Sequence, residues 1–126
     1  MKRLIVDLDE TITVCAIDGY ANALPNLDVI ARLAEYRRDG FEIVISTSRN
    51  MQTYGGNIGK INLHTLPCIL AWLAQHGVGF DEIHVGKPWC GREGFYVDDR
   101  AVRPSEFLRL NLAGIRDVLA AEKGGS

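Results

Sequence analysis

The chain has 126 residues, of which 47% are hydrophobic and 24% are charged, and its formal net charge is −2. This composition is typical of a soluble globular domain with a core of ordinary size. The scattered Lys and Arg residues form no basic stripe for nucleic acid, and no apolar run is long enough to span a membrane. The three cysteines form no CxxC pair, so neither a disulfide framework nor a zinc site is predicted, and a reduced, cytoplasmic setting is expected.

Strands and helices are predicted along most of the chain from its apolar runs and from residues that start and stop helices. In chain order they are a strand at 3–8, a helix at 26–38, a strand at 41–47, a polar loop at 48–62, a helix at 65–76, strands at 81–85 and 94–97, and a helix at 104–121. On the helix at 65–76, Cys68 and Trp72 are predicted to lie in the core.

This order of elements predicts a small doubly wound α/β domain. Strands separated by helices pair in parallel through right-handed crossovers. The strands are apolar throughout, as expected for a sheet covered on both faces. One domain is expected over residues 1–122, followed by a disordered tail at 123–126.

Polar side chains follow each predicted strand at its carboxyl end, which is where doubly wound sheets bind their ligands. They are Asp7, Asp9 and Thr11 after the first strand, Thr47, Ser48 and Arg49 after the second, Lys87 after the third, and Asp98 and Asp99 after the fourth. The sequence therefore predicts one reactive site at this edge of the sheet.

These residue types share a chemical logic. Several carboxylates at one edge suit a hard cation such as Mg²⁺, which keeps some waters and shares phosphate oxygens. One Asp can attack phosphorus to give an aspartyl-phosphate, and a second can donate a proton to the leaving oxygen. A Thr hydroxyl can hold phosphoryl oxygens, and a Lys can balance their negative charge.

Four segments resemble, in the right order, the four motifs of the haloacid dehalogenase-like (HAD) superfamily. They are DLDET (7–11), IVISTSR (43–49), GKP (86–88) and YVDD (96–99). The resemblance implies a Rossmann-like, three-layer fold with a mainly parallel sheet, and Mg²⁺-dependent phosphoryl transfer. It implies that Asp7 is the nucleophile and that Asp9 is the general acid and base. It also makes Thr47 a phosphate ligand and Lys87 the charge stabiliser.

The same resemblance implies the metal site and the branch of the superfamily. The metal ligands would be Asp7, Asp9, Asp98 and Asp99, with Asp99 the direct ligand of the last pair. An Asp at position 9 resembles the phosphatase branch, whereas Glu10 departs from the Gly found in many members. No insertion is long enough for a cap domain, so a capless enzyme is expected.

The segments 47–62 and 85–99 further resemble small phosphatases of capsular polysaccharide biosynthesis, which would imply a phosphosugar substrate. Amides, hydroxyls, cations and an aromatic face suit such a ligand. The residues predicted to contact it are Thr11, Ser48, Arg49, Asn50, Lys60 and Trp89.

Three other functions remain open on the sequence. A phospho-accepting receiver domain shares the length and residue types, but its phosphorylated Asp follows a middle strand and its Lys comes last, whereas Lys87 here precedes the acidic pair. A phosphatase acting on nucleic-acid ends is the second, because such enzymes carry an ending similar to the DDR of residues 98–100. The sequence, however, shows no basic groove. A phosphoprotein phosphatase is the third, since a capless site admits large substrates. A homo-oligomer is also left open, because a neighbouring subunit often replaces the cap in this superfamily.

Overall fold

The computed structural model describes residues 1–16 and 18–124, and the chain divides into two compact units, Met1–Trp89 and Cys90–Ser126. The first unit contains β1 (Arg3–Val6), β2 (Thr13–Val14), β3 (Leu24–Pro25), α1 (Leu27–Arg38), β4 (Glu42–Ser46), α2 (Ile58–Lys60), a π-helical turn (Ile61–Thr65), α3 (Leu66–Gln75) and β5 (Glu82–His84). The second unit contains α4 (Pro104–Arg109) and α5 (Leu112–Gly124). The prediction of one domain over 1–122 stays a prediction.

A three-stranded parallel sheet in the order β1–β4–β5 organises the first unit. Val6 pairs with Ile45, and Ile45 pairs in turn with Ile83. All three strands therefore point the same way, and the segments that follow β1 and β4 leave the sheet side by side. The predicted α/β class and the parallel pairing of these strands are confirmed.

The core of this unit is formed by buried residues of β4 and of the two longer helices, α1 and α3. Ile43, Val44 and Ile45 are all buried, because β4 is the central strand of the sheet. Helix α1 begins after Asn26, whose side chain accepts a hydrogen bond from the Val29 N–H at 3.3 Å. This cap satisfies a backbone donor that has no partner inside the helix.

Helix α3 presents Ile69, Trp72 and Leu73 to the core. The Trp72 indole N–H donates to the Ala23 carbonyl at 2.9 Å, so this buried polar group has its partner. Trp72 was correctly predicted as core, but Cys68 is exposed and that prediction is wrong. The three cysteines are free thiols, as predicted.

The polar stretch 48–62 is more ordered than the predicted loop. Its end forms α2, where the Asn57 side chain accepts from the Lys60 N–H at 3.1 Å, and then the π-helical turn Ile61–Thr65. The Ile61 side chain is fully buried, so it anchors the π-helical turn in the core. Short π-helical turns often mark functional segments.

A small antiparallel hairpin, not predicted from the sequence, joins β1 to α1. Val14 pairs with Leu24 and Thr13 with Pro25, and a 3₁₀ turn at Tyr20–Asn22 lies between the two strands. Each strand is only two residues long, which is too short to show a period of two in the sequence.

Two predictions for the second unit are wrong. Residues 94–97 form no strand, and the predicted helix at 104–121 is two helices separated near Leu110 and Asn111. Asn111 starts α5, because its side chain accepts from the Gly114 N–H at 2.9 Å. Helix α5 runs to Gly124, so the expected tail at 123–126 is helical in its first two residues, and its last two lie outside the described residues. No helix within 1–16 and 18–124 has both the length and the apolar character needed to cross a bilayer.

Candidate active site

The ends of β1, β4 and β5 bring Asp7, Thr47 and Lys87 together, as the sequence predicted for one edge of the sheet. The Thr47 N–H donates to the His84 carbonyl at 2.9 Å, and the Lys87 N–H donates to the Thr47 carbonyl at 3.1 Å. These two backbone hydrogen bonds place Lys87 beside the end of β4, and its Nζ lies 3.7 Å from the Oδ1 of Asp7. The Asp7 carboxylate and the Lys87 ammonium group therefore meet beside the end of β4, where the Thr47 side chain is buried.

Burial raises the pKa of the Asp7 carboxyl above its usual value. The nearby charge of Lys87 and a hydrogen bond from the Leu8 backbone lower that pKa, while the charge of Asp9 raises it. Burial dominates, so the ionised form of Asp7 is costly in the protein alone. A carboxylate held in this state at a strand end is a typical functional-site residue.

A tight turn after β1 places Asp9 beside Asp7. The N–H groups of Thr11, Ile12 and Thr13 all approach the Leu8 carbonyl, at 3.3, 2.9 and 3.0 Å. Glu10 has a φ of 62° in this turn, a left-handed conformation that glycine adopts at least cost.

Asp9 forms a two-pronged ion pair with Arg49. The Arg49 guanidinium donates from Nε to Oδ2 at 3.1 Å and from its terminal Nη2 to Oδ1 at 2.7 Å. The Thr13 hydroxyl also donates to Oδ1 at 3.3 Å. Both Asp9 oxygens are thus occupied, in the geometry that makes Arg–carboxylate pairs strong.

Arg49 makes two further contacts, one through its backbone and one through its guanidinium. Its backbone N–H donates to the Thr47 hydroxyl oxygen at 3.1 Å, and its guanidinium carbon lies 4.2 Å from the centre of the Tyr20 ring. That distance is within the range of a cation–π interaction. The side chain of Arg49 is only 2% exposed, whereas that of Asp9 is 29% exposed.

Asn50 braces the segment that follows. It has a φ of 61°, its side-chain oxygen accepts from the Thr65 hydroxyl at 2.8 Å, and its amide donates to the Thr53 hydroxyl at 3.1 Å. Ser48 closes the adjacent turn, because its backbone carbonyl accepts from the Met51 N–H at 3.0 Å. Of the residues predicted to contact substrate here, Asn50 is therefore bonded to this segment through its side chain, and Ser48 through its backbone.

Lys60 and Trp89 are exposed, on α2 and at the end of the first unit. Helix α2 reaches the Lys87 turn through Ile58, which packs against Gly86. A Cβ at Gly86, whose φ is 87°, would lie 2.5 Å from the Ile58 Cδ1. Only glycine fits this position without a shift, so Gly86 links the polar segment to the turn that carries Lys87.

The predicted metal ligands are divided between the two units. Asp7 and Asp9 lie in the first, and Asp98 and Asp99 lie in the second, where the Asp98 carboxylate accepts from the Arg100 N–H at 2.8 Å. Within the part of the chain that the structure describes, no three or more His, Cys, Asp or Glu side chains form a group that could hold a metal ion. The oxygen donors suit Mg²⁺ chemically, and the four-residue site stays a prediction.

Comparison with known proteins gives one informative match. A crystal structure of a structural-genomics target from Vibrio cholerae is 62% identical, with a TM-score of 0.95 over 97% of this chain and 99% of the other. The two proteins belong to one family. No function is named for the Vibrio cholerae target, so the likeness establishes a shared fold and leaves the activity to be argued from the site. No family model and no curated protein matches the chain.

Two contributors to the site were not predicted from the sequence. Tyr20 packs on Arg49, and Thr13 donates to Asp9. Thr13 lies in β2, and Tyr20 lies in the 3₁₀ turn between β2 and β3. An aromatic residue among the small residues of 12–25 was the available indication, but a single ring has no periodicity to place it.

Proposed function

We propose that the protein is a Mg²⁺-dependent phosphatase with a HAD-like, three-layer Rossmann-like fold that acts through an aspartyl-phosphate. The observation that carries this proposal is the partly buried Asp7 carboxyl just after β1, whose Oδ1 lies 3.7 Å from the Lys87 Nζ, with Thr47 just after the neighbouring strand β4. The four sequence motifs support the same chemistry.

In this mechanism an Asp7 carboxylate oxygen attacks phosphorus, and the bond from phosphorus to the leaving oxygen breaks as the new bond forms. Lys87 offsets the negative charge that collects on Asp7 and on the phosphoryl oxygens. Asp9 is the proton donor to the leaving oxygen, and it later accepts a proton from the water that hydrolyses the phospho-enzyme. Bound Mg²⁺ would supply charge stabilisation for the phosphoryl group.

The proposed substrate is a small phosphorylated sugar or related metabolite, in the context of capsule or surface polysaccharide synthesis. The segment 48–62 is rich in amides and hydroxyls, and Lys60 is exposed on it. These groups match a polyol that carries one phosphate. The net charge of −2 weighs against a polyanionic strand.

A panel of phosphorylated metabolites, a phosphorylated oligonucleotide and a phosphopeptide tests the proposal. We expect the highest kcat/KM on a sugar or polyol phosphate, loss of activity with chelator and recovery on adding Mg²⁺. Asp7→Asn should abolish turnover in a folded protein, whereas Asp39→Asn, at an exposed position just after α1, is the matched control.

Three results would count against the proposal. Substantial turnover by folded Asp7→Asn would end the covalent mechanism. A preference for the oligonucleotide or the phosphopeptide would reject the proposed substrate class but not the phosphatase mechanism. Stoichiometric phosphorylation of Asp7 without turnover would instead indicate a receiver-like signalling domain.

A further inference from the structure

Arg49 is placed to act on Asp9. Its guanidinium engages both carboxylate oxygens of Asp9, at 3.1 and 2.7 Å. The side chain is 2% exposed, and the Tyr20 ring covers it at 4.2 Å. A phosphate arriving from solution would meet the more exposed Asp9 before it met this guanidinium.

The backbone around Arg49 fixes the same arrangement. The Arg49 N–H is bonded to the Thr47 hydroxyl oxygen, so the residue starts from a fixed point at the end of β4. Because β1 and β4 are parallel neighbours, a residue just beyond β4 can reach the turn just beyond β1. The fork of an Arg matches a carboxylate at two points, which sets the orientation of the carboxylate as well as its position.

We infer that Arg49 is a positioning residue that orients Asp9 for proton transfer, with the Tyr20 ring packed against the guanidinium. The inference rests on the proposed phosphatase function for its catalytic consequence. The two-point pair holds the ionised form of Asp9, which is the base that takes a proton from the water that hydrolyses the phospho-enzyme. The oxygen that receives this proton leaves the fork while the other stays bonded to Arg49, and the protonated Asp9 gives the same proton to the leaving oxygen of the next substrate. The predicted substrate contact of Arg49 is a competing role, and the two roles have different kinetic consequences.

The kinetic test compares phenyl phosphate with nitrophenyl phosphate, which have similar shapes but a poor and a good leaving group. In Arg49→Lys and Arg49→Met, we expect kcat/KM to fall about tenfold or more further on phenyl phosphate than on nitrophenyl phosphate, as loss of assisted proton transfer does. Tyr20→Leu should shift the same ratio in the same direction by less. The matched control is Arg38→Met, which removes an exposed Arg from the end of α1.

An equal fall in kcat/KM on both esters, with a raised KM, would overturn the inference and assign Arg49 to phosphate binding. A double-mutant cycle gives a second criterion. If Arg49 acts through Asp9, then Arg49→Met should change the leaving-group ratio little in an Asp9→Asn background.

An unfolding experiment separates this inference from the proposed function. Arg49→Met leaves the Asp9 carboxylate without its Arg partner and should lower the urea concentration at the midpoint of unfolding. Adding Asp9→Asn should then raise that midpoint part of the way back. If Arg49→Met does not fold, Arg49→Lys with and without Asp9→Asn replaces it. Recovery in a protein that hydrolyses no phosphate ester would uphold the pairing and reject the phosphatase, whereas purely additive losses would overturn the pairing itself.

Discussion

Replacing Glu10 by Gly should stabilise the protein. Glu10 is exposed and has a φ of 62°, in the turn that follows β1. A left-handed conformation costs a residue with a Cβ about 1–2 kcal/mol, and glycine loses about 0.5–1 kcal/mol more entropy on folding. The expected net gain is about 0.5–1 kcal/mol. For a chain of 126 residues this corresponds to a rise of about 2–4 °C in Tm.

Asn50→Gly is the matched comparison, because Asn50 has nearly the same φ, 61°, but makes side-chain hydrogen bonds to Thr65 and Thr53. Loss of these bonds should destabilise this variant by about 1 kcal/mol or more. Urea unfolding followed by circular dichroism, in the presence of chelator, measures the free energy of unfolding of the two variants. If Glu10→Gly lost as much stability as Asn50→Gly, the backbone argument would be refuted.

Two further predictions concern the same edge of the sheet. Because burial raises the pKa of Asp7, its protonated form stabilises the fold at acid pH, and this contribution is lost as the pH rises through the raised value. Metal-free Asp7→Asn should therefore melt above the wild type at neutral pH, with a difference that shrinks in acid; a constant difference would contradict this. Gly86→Ala should lose about 1–3 kcal/mol from backbone strain and the clash with Ile58. Gly55→Ala, with a φ of 56° and no atom within 4 Å of the added Cβ, should lose less in the same urea titration.

The elements that the sequence predicted well are those with long, consistent patterns. β4 has three successive buried residues, Ile43 to Ile45, and α1 has both a capping Asn26 and a terminating Gly40 with φ 92°. The convergence of Asp7, Thr47 and Lys87 followed from one rule, that parallel strands end at the same edge. Local propensity and topology agree at these places.

The sequence prediction failed where long-range contacts decide the structure. Residues 94–97 are apolar enough for a strand, but a strand needs a partner, and these residues have no pairing in the structure. The ion pair of Arg49 and Asp9 joins positions 40 residues apart. Its two-point geometry depends on the turn at Glu10 and on the register of β1 and β4, neither of which composition encodes.

The hydrogen bond from Thr65 to Asn50 spans 15 residues and ties the polar segment to the start of α3. A ligand that binds against this segment would not have to freeze a mobile loop, so little of its binding energy would be lost to ordering the protein. Discrimination would then come from the fit of the ligand to a surface that is already formed.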